Sequence, residues 1–216
     1  MQKAAFGSPF LLRANRIRGK CRKPNLKAIS IMTFQLRDAQ NSDLPAITEI
    51  YRESVLTGVA SYEISPPSQA EMESRFAAIT SQGYPYIAAA ADDGTLLGYA
   101  YASAFRTRPA YRWLVEDSIY LAPEARGRGI GKALLADLLA RCTALGFRQM
   151  VAVIGGASPA SIAVHRGAGF EMTGTLNGTG FKHGTWLDTV LMQITLGEGK
   201  KTDPDPDAYP GTLFKS

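Results

Sequence analysis

The stretch from Val115 to Leu145 constrains this chain more than any other. Val115, Asp117, Ile119 and Leu121 alternate with Glu116, Ser118 and Tyr120, the period-two pattern of a strand. Ala122-Pro123 ends the strand, and Arg126-Gly127-Arg128-Gly129-Ile130-Gly131 follows. Leu134, Leu135, Leu138, Cys142 and Leu145 then recur at helical spacing, and Gly146 reads as the residue that stops the helix. The start of a helix carries unpaired backbone N–H groups and about half a positive charge. Glycines 127, 129 and 131 leave no side chain to hold a ligand off the backbone there. Arg126, Arg128 and Lys132 add charge around the turn. The arrangement predicts an anion site suited to phosphate.

Two common phosphate motifs do not fit. A Walker A loop needs Gly five positions before Gly131 and Ser or Thr after Lys132, but those positions hold Arg126 and Ala133. The Rossmann fingerprint needs its third glycine one residue later than Gly131. A glycine turn with no ligand is the alternative to an anion site.

A length of 216 residues suits one domain with tails, and 45% hydrophobic with 20% charged residues is ordinary for a globular protein. The net charge of +5 misleads. Residues 1–32 hold eight of the 24 basic residues and no acid, leaving 16 against 19 acidic residues, so the body carries about −3. That removes the footprint of a nucleic-acid binder from the body. The basic extension, 1–32, reads as a mis-assigned start, with Met32 as the natural one; a transit peptide or a binding arm are the alternatives. After Gly197 the chain turns polar and proline-containing, so 197–216 is expected to be a disordered tail. No apolar run is long enough to span a membrane. Cys21 and Cys142 make no disulfide framework, which suits a reducing, cytoplasmic compartment, and no Cys/His cluster predicts a metal site.

Between the tails, patterning predicts β-α-α-β-β-β-α-β-α-β-β. Strands are expected at 34–37, 86–91, 96–105, 115–121, 149–154, 170–176 and 185–196. Asn41-Ser42-Asp43 is expected to cap the first helix and Ser68, with Glu71, the second. Ser158-Pro159 starts the last helix, with proline in its first turn.

Arg126 to Gly131 matches the R/Q-x-x-G-x-G/A pyrophosphate loop of the GNAT superfamily of acetyltransferases. The similarity extends to Y-R-W-L-V-E-D-S-I-Y-L-A-P (111–123), S-I-A-V-H-R-G-A-G-F (161–170) and G-F-K-H-G-T-W-L-D (180–188). These segments resemble the phosphinothricin and methionine sulfoximine acetyltransferase branch, and the likeness covers 33–196. The resemblance implies an α/β fold, a mixed and predominantly antiparallel sheet flanked by helices. It also implies acetyl-CoA as co-substrate, a small amino acid analogue as acceptor, and a homodimer.

Acetyl transfer to an amine requires that the amine lose a proton, that the carbonyl oxygen be stabilised, and that the thiolate be accommodated. Glu116, ahead of the phosphate loop, is the candidate base, and the resemblance favours it. Alternation puts Glu116 and Asp117 on opposite faces, so at most one is expected in the cleft. The resemblance gives the backbone of Ile119, Tyr120 and Leu121 to the pantetheine arm, an extended ligand paired to a strand. It gives the loop Arg126, Gly127, Arg128, Gly129, Ile130, Gly131 and Lys132 to the pyrophosphate. Ser158 stands where the family often has a cofactor-contacting Asn; its shorter hydroxyl either reaches the cofactor or caps the helix. His165 takes the place of the family tyrosine that protonates the thiolate; a packed histidine is the equal alternative. Arg106 and Arg108 suit a carboxylate or phosphinate held by charge-assisted bonds, with Tyr111 and Trp113 as walls. The alternative is a solvated basic loop. Lys182, His183 and Trp186 lie in a segment that resembles the active-site rim, with Lys182 and His183 as further candidates to bind the acidic group; a hairpin turn stabilised by an aromatic is the equal alternative.

The reading is an acetyl-CoA-dependent N-acetyltransferase acting on the α-amine of a phosphinothricin, methionine sulfoximine or methionine sulfone type of substrate by direct attack in a ternary complex. Its rivals are a GNAT enzyme for a peptide N-terminus or another amine, and a non-catalytic acyl-CoA-binding module.

Overall fold

The computed structural model describes residues 33–209; the basic extension 1–32 and residues 210–216 lie outside the described residues. β1 (Phe34–Asp38) leads through a 3-10 turn at Asn41–Asp43 into α1 (Leu44–Thr57). The expected cap is thus itself a turn. It closes where the Gln40 N–H donates to Asp43 Oδ2 (2.8 Å), and Asp43 then stands at the N-cap of α1. Arg37 reaches from β1 and grips both Asp43 oxygens at 2.7 and 2.8 Å, tying the first strand to the first helix. The expected Ser68 cap forms on α2 (Gln69–Ser81), accepting the Glu71 N–H at 3.2 Å.

β2 (Tyr86–Ala91) and β3 (Leu96–Ala104) form the expected hairpin, and β4 (Leu114–Leu121), α3 (Ile130–Ala144) and β5 (Gln149–Gly155) form the strand-helix-strand unit. α4 (Pro159–Gly167), β6 (Glu171–Lys182) and β7 (Thr185–Thr195) complete the chain of elements. The seven strands lie in the order β1-β2-β3-β4-β5-β7-β6. Every neighbouring pair is antiparallel except β4 with β5. The mixed, mostly antiparallel α/β architecture is as expected.

Alternation divides the sheet into two faces. Tyr86, Tyr99, Tyr101 and Tyr120 stack along one face, where Tyr51 of α1 and Phe76 of α2 meet them edge-on. Leu121 points to the other face, against Gly131 of α3. There Leu134, Leu135 and Leu138 are fully buried. At roughly 2 kcal/mol for each fully buried leucine, this stripe fixes α3 firmly to the sheet. No helix among the described residues is long and apolar enough to cross a membrane.

Two expectations fail. β6 was expected to end at Leu176 and runs on to Lys182. Asn177-Gly178-Thr179-Gly180 reads as a loop, yet the ladder absorbs it by a register shift between Leu176 and Gly180. Cross-strand bonds replace the missing side-chain packing: Gly178 N–H to Asp188 Oδ1 (2.8 Å) and Thr179 with Thr189 (2.7 Å). Of the expected disordered tail, residues 197–209 pack on the fold, and 210–216 lie outside the described residues. Arg148 donates to the Gly199 and Asp203 carbonyls, and the Tyr209 hydroxyl donates to the Gln82 carbonyl at 2.9 Å. The Tyr209 ring meets Phe147 edge-on, so one aromatic anchor supplies the burial that a polar tail otherwise lacks.

Candidate active site

Among the described residues, the only parallel pair of the sheet is also where it opens. The β4–β5 ladder covers three residue pairs, Leu114 with Gln149 to Glu116 with Val151. Beyond it β4 continues to Leu121 and β5 to Gly155, with no pairing between them. A cavity of about 270 Å³ fills the gap, lined by residues 116–120, 152–155 and the inner side of α4. The β5-facing edge of Ile119, Tyr120 and Leu121 therefore has no strand partner, as an extended amide ligand requires. The Tyr120 side chain is committed to the tyrosine stack, so only its backbone is offered.

Glu116 and Asp117 point to opposite faces, yet both line the cavity. The expectation that at most one carboxylate reaches the cleft fails because the opening passes through the sheet. Burial, and next the charge of Asp117, push the Glu116 carboxyl above its ordinary pKa, while Arg106 draws it down. The base candidate thus lies within electrostatic reach of the first arginine of the expected acceptor loop.

Asp117 was not anticipated as a site residue. It is buried, and its Oδ2 accepts from His165 Nε2 at 2.9 Å. The sequence signal was present: a carboxylate sits on the apolar stripe of a strand, between Val115 and Ile119. His165 is buried too, with Nδ1 donating to the Ser161 carbonyl at 2.8 Å and its ring edge-on to Phe170. Burial opposes its charge, but the Asp117 bond and charge, with the Ser161 carbonyl, raise its pKa overall. Ser158 caps α4 by accepting the Ser161 N–H at 3.4 Å, and it also lines the cavity.

At the other end of the opening lies the glycine turn. Gly127 and Gly129 have φ of +74° and +82°, a region that L side chains rarely adopt, and the space beside each is open. Ile130 and Gly131 are buried, so they contribute backbone alone, while Lys132 is exposed. No side chain caps α3. Arg128 is exposed, and the Arg126 guanidinium is drawn back to Glu53 of α1 at 2.5 Å.

None of the expected acceptor residues lines the cavity. Arg106 and Arg108 are exposed on the loop after β3, with Arg106 over the Phe105 ring at 4.2 Å. Tyr111 also packs on Phe105, and Trp113 is covered by the Arg112 guanidinium. Lys182 is buried, donating to the Ser61 carbonyl at 2.7 Å, and burial lowers its pKa. His183, with φ +52°, and Gly184 form the two-residue turn between β6 and β7. The 180–188 segment is thus a hairpin, and the Phe181 and Trp186 rings pair on its exposed side.

Sequence reasoning also missed the loop between α1 and α2, which contributes Ala60 and Tyr62 to the cavity wall. The Tyr62 hydroxyl pairs with Thr189 (2.8 Å) and accepts the Gly156 N–H (3.2 Å), closing the loop over β5. A Cβ on Gly156 would lie 2.3 Å from Val59, so the glycine is what lets the loop seat. An aromatic in a loop carries no pattern that announces such a role.

The described residues thus form a mixed sheet that parts at its one parallel pair, with an uncapped, glycine-flanked helix start following β4. Residues 36–191 match the Acetyltransferase (GNAT) domain, and the chain belongs to that family of N-acetyltransferases. It is 47% identical over 171 residues to a phosphinothricin N-acetyltransferase of Alcaligenes faecalis, covering 79% of this chain and 86% of the relative. It is 39% identical over 165 residues to an L-methionine sulfoximine/L-methionine sulfone acetyltransferase of Pseudomonas paraeruginosa, covering 76% and 96%. Among solved structures, a GNAT superfamily phosphinothricin acetyltransferase from Sinorhizobium meliloti in complex with AcCoA superposes with a TM-score of 0.84 at 66% identity. That match covers 86% of this chain and all of the other.

Proposed function

We propose that this enzyme transfers acetyl from acetyl-CoA to the α-amine of a small amino acid analogue of the phosphinothricin, methionine sulfoximine or methionine sulfone class, by direct attack in a ternary complex. The observation that carries the proposal is the placement of Glu116, part-buried at the point where β4 and β5 separate. The names of the relatives supply the substrate class. The residues fit the co-substrate: an open glycine turn at an uncapped helix start suits a pyrophosphate, and an unpaired strand edge suits an amide-bearing arm.

Bound acetyl-CoA supplies an activated acetyl group and a thiolate leaving group. Gly127, Gly129 and the first N–H groups of α3 hold its phosphates, with Arg126, Arg128 and Lys132 around them. The edge at Ile119–Leu121 holds its arm, and Ser158 contributes from the start of α4. Glu116 accepts the ammonium proton, directly or through water, and a backbone N–H near Ile119 stabilises the carbonyl oxygen. His165 gives a proton to the departing sulfur. Arg106 and Arg108 hold the acidic group of the acceptor, walled by Tyr111 and Trp113, with Lys182 and His183 at the rim. The enzyme works in the cytoplasm as a homodimer, and the exposed Leu176, Phe181 and Trp186 of the β6–β7 hairpin supply apolar area for the second copy.

The test is free-thiol release from acetyl-CoA with a panel of acceptors: phosphinothricin, methionine sulfoximine, methionine sulfone, spermidine and a short peptide. Turnover with the first three, and acetylated product by mass spectrometry, is the expected result. Turnover with spermidine or the peptide alone overturns the substrate class, and no thiol release with any acceptor points to a binding module.

A further inference from the structure

We infer that Asp117 is a positioning residue that holds His165 as a doubly protonated imidazolium on the wall of the cleft opposite Glu116. The geometry of the ring argues for both protons. Nδ1 faces the Ser161 carbonyl oxygen at 2.8 Å, which only accepts. Nε2 faces Asp117 Oδ2 at 2.9 Å, which accepts whenever the carboxyl is ionised. A neutral imidazole has one N–H and satisfies one of these partners; an imidazolium satisfies both.

The surroundings leave the role to Asp117. His165 packs against β4, and the charged or titratable groups facing the pair are few. Glu116 is the preceding residue of β4, on the other face. Cys142 of α3 is a buried thiol pushed up to about 12 by burial and by Asp117, so it carries no charge at neutral pH. Phe170 and Ser161 are uncharged. A buried histidine without a partner loses its charge, and Asp117 is the partner that opposes this. The second Asp117 oxygen, Oδ1, is buried with no hydrogen-bond partner among the described residues. Leaving a buried carboxylate oxygen bare costs stability, so the pair is not the arrangement that packing alone selects.

The inference rests on the proposed acetyl transfer for its chemical meaning. As the C–S bond breaks, the electron pair stays on sulfur, and the thiolate takes a proton from His165. The Ser161 hydroxyl, 3.3 Å from Nδ1 and on the cavity wall, passes that proton on. Neutral His165 remains bonded to Asp117 and regains its proton from solvent. Glu116 releases the proton that it took from the amine.

The test uses the full chain. Its two histidines are His165 and the exposed His183, so ring-nitrogen NMR of wild type and His183→Asn assigns both. The imidazolium signature of His165 is expected to persist above the pH at which an ordinary histidine loses its proton. In Asp117→Asn, which keeps an acceptor but not the charge, it is expected to vanish at neutral pH. With acetyl-CoA and an acceptor, kcat of this variant at about pH 8 falls about 10-fold or more, while KM for acetyl-CoA stays within about 2-fold. Its alkaline limb moves to lower pH. A His165 signal that shows one protonated nitrogen at neutral pH in wild type overturns the inference, even if the variant fails to fold. So does an Asp117→Asn titration that matches wild type, or a uniform loss of activity at every pH. The NMR measurement needs no acceptor, so a wrong substrate class leaves it standing.

Discussion

Glu116 experiences two influences that disfavour its charge, burial and the neighbouring Asp117, and one that favours it, Arg106. A base must be ionised to work, so kcat/KM is expected to fall on acidification at a higher pH than an ordinary carboxylate would give. Arg106→Ala removes the stabilising cation and should move that acidic limb to still higher pH, measured as a pH profile of kcat/KM. A limb unmoved by this change would separate Arg106 from the base. At this scale the sequence was half legible. Glu116 stands in a motif that a reader can find. Alternation allows at most one of the two carboxylates into the cleft and the resemblance favours Glu116, which leaves Asp117 out; the alternation holds and still misleads, because it does not show where a sheet parts. Lys182 shows the opposite case: its charge suggests a ligand, and one donor of its ammonium is already taken by the Ser61 carbonyl.

The glycine turn and the first strand-helix junction belong to the scale of elements. Gly129 has φ +82° at the start of α3. Gly129→Val is expected to raise KM for acetyl-CoA about 10-fold or more through a strained turn and a blocked backbone approach, with a smaller effect on kcat. At the other junction, the hydrogen bonds of Arg37 hold the Asp43 carboxyl below its ordinary value against the cost of burial. A depressed carboxyl stabilises the fold above its unfolded pKa, and that stabilisation is lost as pH falls through the folded one. Asp43→Asn is therefore expected to cost about 1 kcal/mol at neutral pH, discounted for the exposure of Arg37. It should also flatten the acid limb of a urea-melt series. The elements themselves were largely readable because apolar spacing and caps are local signals. The second half of β6 was not, since Asn177 to Gly180 is held by bonds to β7 rather than by its own propensity.

Across the whole molecule, one opening connects two sets of groups: Glu116 on the tyrosine face, and Asp117 with His165 on the face that carries α3. The order of the elements was legible, and the family loop pointed to the helix start. The shortness of the β4–β5 ladder was not, because it depends on two strands far apart in sequence diverging after three residue pairs. The tail was misjudged for a related reason: Tyr209 finds its seat on Phe147 and Gln82, contacts that composition cannot register. Tyr209→Ala is expected to cost about 2 kcal/mol and to lower the melting temperature by about 4–8 °C. Sedimentation should show a dimer that Trp186→Asp weakens; a monomer in the wild type would remove that part of the proposal. The role of Glu116 in the whole enzyme is tested most directly by thiol release from acetyl-CoA with saturating phosphinothricin, compared between wild type and Glu116→Gln from about pH 6 to about pH 9. The prediction is a loss of turnover of about 100-fold or more with acetyl-CoA binding within about 3-fold of wild type. Turnover unchanged across that range would contradict it.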